Sequence, residues 1–294
     1  MNLKNVGPFI RFRLTKWKYL RRRLGSTITS NCELDHVDEG TLVMTVVAFN
    51  NVELLRYQRE LLSLNLKDPH LYVVLDNSSE PGSRDEILRF CKEAGLTYIR
   101  CPENPFSSPS WSHAMVLEWF IKYFVVPKKV RYFGFIDHDM FPLRQTSILA
   151  FLRRQPVYGA LAIPKEGSEV WYLWAGFCFF DFDRLPTKKL DFMPGNNRKT
   201  GYLETDSGGS NWGDLYSKLD RGSLALNERR RVRFRTVEDI VQSDYLDYHD
   251  DWVHTLNGSY WQPIKDREGK GAYVRELLEG LLTEARERTA SGAR

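Results

Sequence analysis

Over residues 41–139, short β-branched apolar runs alternate with amphipathic stretches, and this alternation limits the chain to few architectures. TLVMTVVAF (41–49) and HLYVVLDNSS (70–79) read as buried strands. VELLRYQRELLSLNL (52–66), between them, has the i, i+3, i+4 spacing of an amphipathic helix. SRDEILRFCKEAG (83–95) reads as a second helix, with Ser83 as N-cap, Glu86 completing a capping box and Gly95 at its C-terminal end. LTYIRC (96–101) predicts a third strand, NPFSSPSWS (104–112) a loop, and HAMVLEWFIKYFVV (113–126) a helix stopped by Pro127. RYFGFIDHDMFPL (131–143) supplies the fourth strand. Repeated strand–helix–strand order predicts an α/β fold, a mostly parallel central sheet flanked by helices.

The fourth strand ends in Asp137-His138-Asp139. Carboxylates at the exit of a buried strand are costly unless a cation or substrate needs them. Residues i and i+2 of an extended chain point to one side, so Asp137 and Asp139 can converge on a hard divalent cation carrying a diphosphate. A solvated turn with acidic caps is the alternative. Ligands of parallel sheets bind at the carboxyl ends of strands. Asn50, Asp76 and Asp137 all fall at such ends, facing one crevice. Trp111 and His113 follow the Pro/Ser loop and are expected near the same ligand.

Beyond residue 145 the alternation weakens. Residues 147–155 and 211–220 read as short helices, 158–165 and 169–182 as strands. A basic strand is expected within 228–239, a polar loop over 247–261 and a charged helix over 265–288. No clean linker interrupts the chain. The expected division is a basic extension (1–40), one domain (41–264, with a regular half 41–144 and a less regular half 145–264), and a C-terminal helix and tail (265–294).

The composition, 42% hydrophobic and 27% charged, is that of a globular domain. No apolar run is long enough to span a membrane and the start lacks a signal-peptide core, so a cytoplasmic protein is expected. Cys32, Cys91, Cys101 and Cys178 lack C-x-x-C spacing, which argues against zinc and for reduced thiols. Residues 1–24 carry eight Lys or Arg and no acid, interleaved with Phe, Trp and Leu. Such a segment suits the face of an anionic membrane; a disordered tail or a nucleic-acid patch is the alternative, with nucleic acid not favoured.

The order of these features resembles the GT-A class of nucleotide-sugar glycosyltransferases, over roughly residues 41–261. The resemblance is carried by TLVMTVVAFNN, VVLDNSSEPGS, FIDHDMF, WAGFCFFD (174–181), LETDSGG (203–209) and DWVHTLNGSYW (251–261). It implies a Rossmann-like nucleotide-binding half (41–144) and an acceptor half (145–264). It further implies that Asp139 binds the metal, with Asp137 on the ribose side and also near the metal. His254 would complete the metal site. Ala48, Phe49 and Asn50 would lie where the first strand meets the nucleoside, Asp76 would read the base, and Gly176 would let backbone approach the sugar. Asp206 matches the position of a catalytic base, with Glu204 behind it. The usual Glu-Asp pair is here split by Thr205.

The expected activity is metal-dependent transfer of a sugar from a nucleotide diphosphate donor, UDP-linked, to a hydroxyl of a glycan or lipid-linked acceptor. Oxygen ligands suit Mg²⁺ or Mn²⁺, and an imidazole shifts the preference toward Mn²⁺. An inverting transfer is expected, since it needs a base such as Asp206; a retaining one would not. Trp171, Tyr172 and Trp174 can face a sugar or fill core. Arg229, Arg230, Arg231, Arg233 and Arg235 can hold a phosphorylated acceptor, or guard a solvated edge strand. The alternatives are a sugar-phosphate nucleotidyltransferase, whose Gly-rich phosphate loop AFNNVELL lacks, and a non-catalytic basic binding protein.

Overall fold

The computed structural model describes residues 7–22, 28–29, 37–233, 245–256 and 267–292. Lys4, Arg23, Leu24, Cys32, Arg235, most of the connector 25–40 and the stretch 257–261 lie outside the described residues. In chain order the first half runs α1 (Pro8–Tyr19), β1 (Ile28–Thr29), β2 (Leu42–Ala48), α2 (Val52–Asn65), β3 (His70–Asp76), α3 (Pro81–Glu93), β4 (Thr97–Arg100), α4 (Pro109–Phe120) and β5 (Tyr132–Asp137). The second half adds β6 (Met140–Pro142), α5 (Leu149–Leu152), β7 (Val157–Ala162), β8 (Tyr172–Asp181), β9 (Arg229–Arg233), β10 (Tyr245–His249), β11 (Trp252–His254) and α6 (Arg267–Gly292).

Among the described residues, seven strands form one sheet in the order β1-β4-β3-β2-β5-β8-β7. Strands β4, β3, β2 and β5 are parallel, while β1, β7 and β8 join antiparallel at the flanks. The fold is therefore α/β with a mostly parallel central sheet flanked by helices. All seven residues of β2 are buried. Its alternation sends Val43 and Val47 into a core shared with Trp119 and Phe120 of α4. Leu42, Met44, Val46 and Ala48 enter the opposite core with Leu55 of α2 and Phe90 of α3. From β2 the chain moves outward to β3 and β4, then returns to β5 on the other side of β2. The topological switch, where ligands of such sheets bind, thus falls between β2 and β5, at the exit that carries Asp137.

A second, antiparallel sheet, β6-β11-β10-β9, packs against α2 and α6, which also touch each other. Phe141 and Val253 share one apolar cluster with Leu54 and Leu61 of α2 and Val274 and Leu278 of α6. Over residues 247–254 this sheet takes the place of the loop expected across 247–261: β10 and β11 form a tight hairpin through Asp250 and Asp251. Strands β10 and β11 are too short and too polar to stand out in the sequence, whereas β9 falls within the basic strand expected over 228–239.

Three other boundaries differ from expectation. Helix α3 begins at Pro81 with Glu80 at the N-cap, so Ser83 lies inside the first turn, where its hydroxyl bonds Glu80 (3.3 Å). Proline's fixed φ and missing N–H favour that first position. Pro109 starts α4 likewise, placing Trp111 and His113 in the helix, which continues through a π-turn at Ile121–Val125. Residues 211–220 form turns, with a short 3₁₀ turn at Tyr216–Lys218, rather than the expected helix. There the Gly213 N–H donates to Lys199 O (2.9 Å) and Asp214 pairs with Lys199 (3.7 Å), so tertiary contacts take over from a helical ladder.

Candidate active site

Strand β5 delivers Asp137 to the carboxyl edge of the sheet, and the turn into β6 returns Asp139 to the same place. Pairing of β6 with β11 sets Met140 opposite His254, and Thr255 N–H donates to Asp139 O (3.0 Å). A histidine 115 residues downstream is thereby brought to Asp139, its Nε2 lying 3.1 Å from Oδ1. Ligand atoms of Asp137, Asp139 and His254 all lie within 4.8 Å of one another. His138, between the aspartates, points back into the sheet, its Nδ1 3.3 Å from Val47 O.

Burial and neighbouring charges shift two of the three groups. Burial raises the pKa of Asp137 above the ordinary carboxylate range; His113 opposes the rise and Asp139 adds to it. Burial would lower that of His254, but Asp139 and then Asp137 outweigh it and hold the imidazole above its usual value. The buried His113 Nε2 has no hydrogen bond among the described residues and lies 3.7 Å from Asp137 Oδ1. Two carboxylates and an imidazole of this spacing fit a divalent cation of the Mn²⁺ or Mg²⁺ kind.

Gly176 borders the cluster. A Cβ there would stand 2.7 Å from Asp137 Oδ2 and 2.3 Å from the Trp174 ring, so only glycine leaves the approach open. The Trp174 ring lies against His254, centroids 4.8 Å apart, and so walls the metal site. Trp171 and Tyr172 are core residues instead; Trp171 packs on Tyr216 and the Tyr172 hydroxyl accepts from the Asp206 N–H (3.0 Å).

Asp206 and Glu204 are exposed on the turn that follows. Ala175 N–H donates to Ser207 O (3.3 Å), so this turn is tied to the residue next to Gly176. Gly208 takes a left-handed φ of 100° to make it. The Asp206 carboxylate accepts from Ser207 N–H (2.7 Å), and Ser207 Oγ donates to Ser110 O (2.9 Å), linking the turn to α4 just before Trp111 and His113.

On the other side of the switch point, a cleft of about 460 Å³ opens beyond β2, β3 and β4, lined by Phe49, Asn77, Arg84, Arg100, Asn104 and Phe106 among others. Ala48 pairs in register with Asp76, and Val47 with Asp137, so the cleft and the metal cluster lie on neighbouring strand ends. Asp76 does not line the cleft. It is 1% exposed, and its carboxylate accepts from Tyr98 OH (2.6 Å) and Ser78 N–H (2.9 Å). The Asn50 side chain is similarly engaged, its Oδ1 accepting from the N–H groups of Ser79 and Glu80 (3.1 and 3.2 Å). Trp111 packs against Phe12 and Phe106 (centroids 4.5 and 5.9 Å) at the cleft's margin.

Sequence reasoning missed Gln58. Buried on α2, its Nε2 donates to Asp137 O and Met140 O (both 2.7 Å), bracing the metal turn across both ends. Tyr72 OH donates to its Oε1 (2.5 Å) and fixes the amide. A polar residue in the middle of the apolar face of α2, between Leu54, Leu55 and Leu61, Leu62, was the available signal. In β9, Arg231 is bound through two hydrogen bonds to Asp247 (2.7 and 2.8 Å), and Arg229 lies 3.9 Å from the same carboxylate. Burial would raise Asp247, but these guanidinium groups hold it below the ordinary range.

No family model matches the chain, and no curated protein matches its sequence. Two solved structures share part of its arrangement. TarS of S. aureus is 15% identical with a TM-score of 0.30, over 41% of this chain and 21% of that one. The mannosyltransferase PcManGT from Pyrobaculum calidifontis, in complex with GDP-Man and Mn²⁺, is 12% identical with a TM-score of 0.36, over 59% and 52%. This chain thus spans a fifth to a half of their lengths, and likeness at that level assigns no role to its residues.

Proposed function

We propose that the chain is a metal-dependent glycosyltransferase using a nucleotide diphosphate-sugar, UDP-linked, and transferring the sugar to a hydroxyl of a glycan or lipid-linked acceptor. The observation that carries this reading is the convergence of Asp137, Asp139 and His254 at the switch point, beside a glycine that keeps the approach open. Asp139 and His254 would hold Mn²⁺ or Mg²⁺, with Asp137 shared between the ion and the ribose side. Such a cation offsets the charge that builds on the leaving diphosphate.

The remaining roles fall to the chain's own groups. The cleft beyond β2, β3 and β4 has the aromatic and amide lining that suits a nucleoside. Trp174 and Gly176 shape the wall where the sugar would lie. Asp206, exposed on a turn tied to β8, would take the proton of the acceptor hydroxyl in an inverting transfer, with Glu204 as the neighbouring carboxylate.

A screen of nucleotide-sugars for nucleotide release, with Mn²⁺ and with EDTA, tests the reading. UDP release that EDTA abolishes supports it. Absence of nucleotide binding to any donor would falsify it. The anomeric configuration of the product, read by NMR, tests Asp206: a retained configuration removes it as base.

A further inference from the structure

We propose that the solvent side of α1 is a docking surface for anionic lipid bilayers. Its inner side is fixed to the domain. Phe12 packs edge-on against Trp111, Lys16 pairs with the buried Glu118 (2.7 Å), and Tyr19 is buried in the core. Its C-terminal end is pinned where Trp119 Nε1 donates to Arg22 O and Tyr123 OH to Leu20 O (both 2.8 Å). The register of the outer side is therefore set.

That outer side carries Ile10, Leu14, Trp17 and Arg21, spaced four, three and four residues apart along one ridge. Ile10 and Trp17 are 52% and 54% exposed, two of the few large hydrophobic side chains so exposed among the described residues. The Arg21 guanidinium lies 4.4 Å over the Trp17 ring, and Lys18 is exposed beside it. Charge decides the occupant: Arg11, Arg13, Lys18, Arg21 and Arg22 are exposed on or just after this helix, and residues 7–22 contain no acid, so the surface complements a polyanion. The aliphatic Ile10 and Leu14 within the ridge decide between polyanions. They gain nothing against phosphate and ribose, but they gain burial at the boundary of headgroups and acyl chains, where indole and guanidinium also sit well. The inference does not depend on the transferase reading.

The test is co-sedimentation of the full chain with phosphatidylcholine vesicles, with and without phosphatidylglycerol, and with no sugar donor present. Binding is expected to need phosphatidylglycerol and to weaken with salt. An I10A/W17A variant should partition at least about tenfold less, from lost apolar burial. K18Q/R21Q should lose about tenfold or more through the lost charges. All four positions lie on the outer side, and unchanged thermal melts would show that the fold is intact. Failure to bind phosphatidylglycerol vesicles, equal binding by I10A/W17A and wild type, or retention by an oligonucleotide but not by vesicles would each overturn the proposal.

Discussion

A methyl group added at Gly176 would meet both Asp137 Oδ2 and the Trp174 ring well inside contact distance. The backbone of β8 cannot retreat, because its neighbour Phe177 is paired with Ile136. Gly176→Ala should therefore push the Asp137 carboxylate aside, lowering Mn²⁺-dependent donor turnover by more than tenfold at a stability cost of about 1–3 kcal/mol; donor hydrolysis and urea unfolding read the two effects. Asp76 poses the opposite case. Its acidic side chain at a strand end resembles a base reader, yet both its oxygens serve the sheet edge. Asp76→Ala would leave Tyr98 OH and Ser78 N–H short of a buried partner, and should cost about 1–3 kcal/mol for each group in urea unfolding. A raised donor KM with unchanged stability would instead return Asp76 to base recognition. Asp137 and Asp139 were legible because strand alternation and i, i+2 spacing are local. The commitments of Asp76 and the brace at Gln58 were not, because Tyr98 and the Asp137–Met140 turn are distant in sequence.

At the scale of elements, α1 is held to the domain through a hydrogen-bonded contact to one buried carboxyl group. Lys16 reaches the buried Glu118 on α4 and also lies 3.4 Å from Asp191, which pairs in turn with Lys199 (2.5 Å). Burial is the largest influence on Glu118; Lys16 opposes it and Asp191 reinforces it, and the carboxyl is pushed up from 4.5 to about 8. The folded state thus holds a proton that the unfolded state releases. For a raised acid the stability contribution is present below the unfolded value and is lost as pH rises toward the folded one, so the window runs from 4.5 to about 8. Wild type should therefore lose stability across that window relative to Glu118→Gln, which mimics the protonated form, by more than about 1.4 kcal/mol, the equivalent of one pKa unit. Parallel unfolding titrations at the two ends of the window check it. The sequence displayed the helix's basic and aromatic residues without showing which faced inward, since that depends on the cavity α4 and the 191 loop leave for Lys16. The central strands were legible because burial on both faces writes a continuous apolar run; the β10–β11 hairpin was not, because strands of three to five residues that mix aspartate and histidine with aromatics carry no such run.

For the whole molecule, the metal cluster is where separate parts of the chain are joined. Asp137 and Asp139 belong to the parallel sheet and its exit, while His254 arrives on the antiparallel sheet that rests on α2 and α6. A cation bound by all three would bridge the two sheets, and it would do so only in the folded state, where the three groups converge. Ligation confined to the native state stabilises it by mass action, about 2.7 kcal/mol at a hundredfold excess over Kd. Mn²⁺ should accordingly raise the midpoint of thermal unfolding, and EDTA should reverse the shift. Asp139→Asn and His254→Ala should each reduce the shift, because loss of one ligand removes a contact to a separate sheet. Variants outside the cluster, such as Glu118→Gln, should retain it in full. A shift that persists in both ligand variants would locate the ion elsewhere, and a shift lost in His254→Ala but kept in Asp139→Asn would mean that the antiparallel sheet holds the ion without the metal turn. The measurement needs no donor, acceptor or turnover, so it tests the architecture of the site apart from the reaction proposed for it.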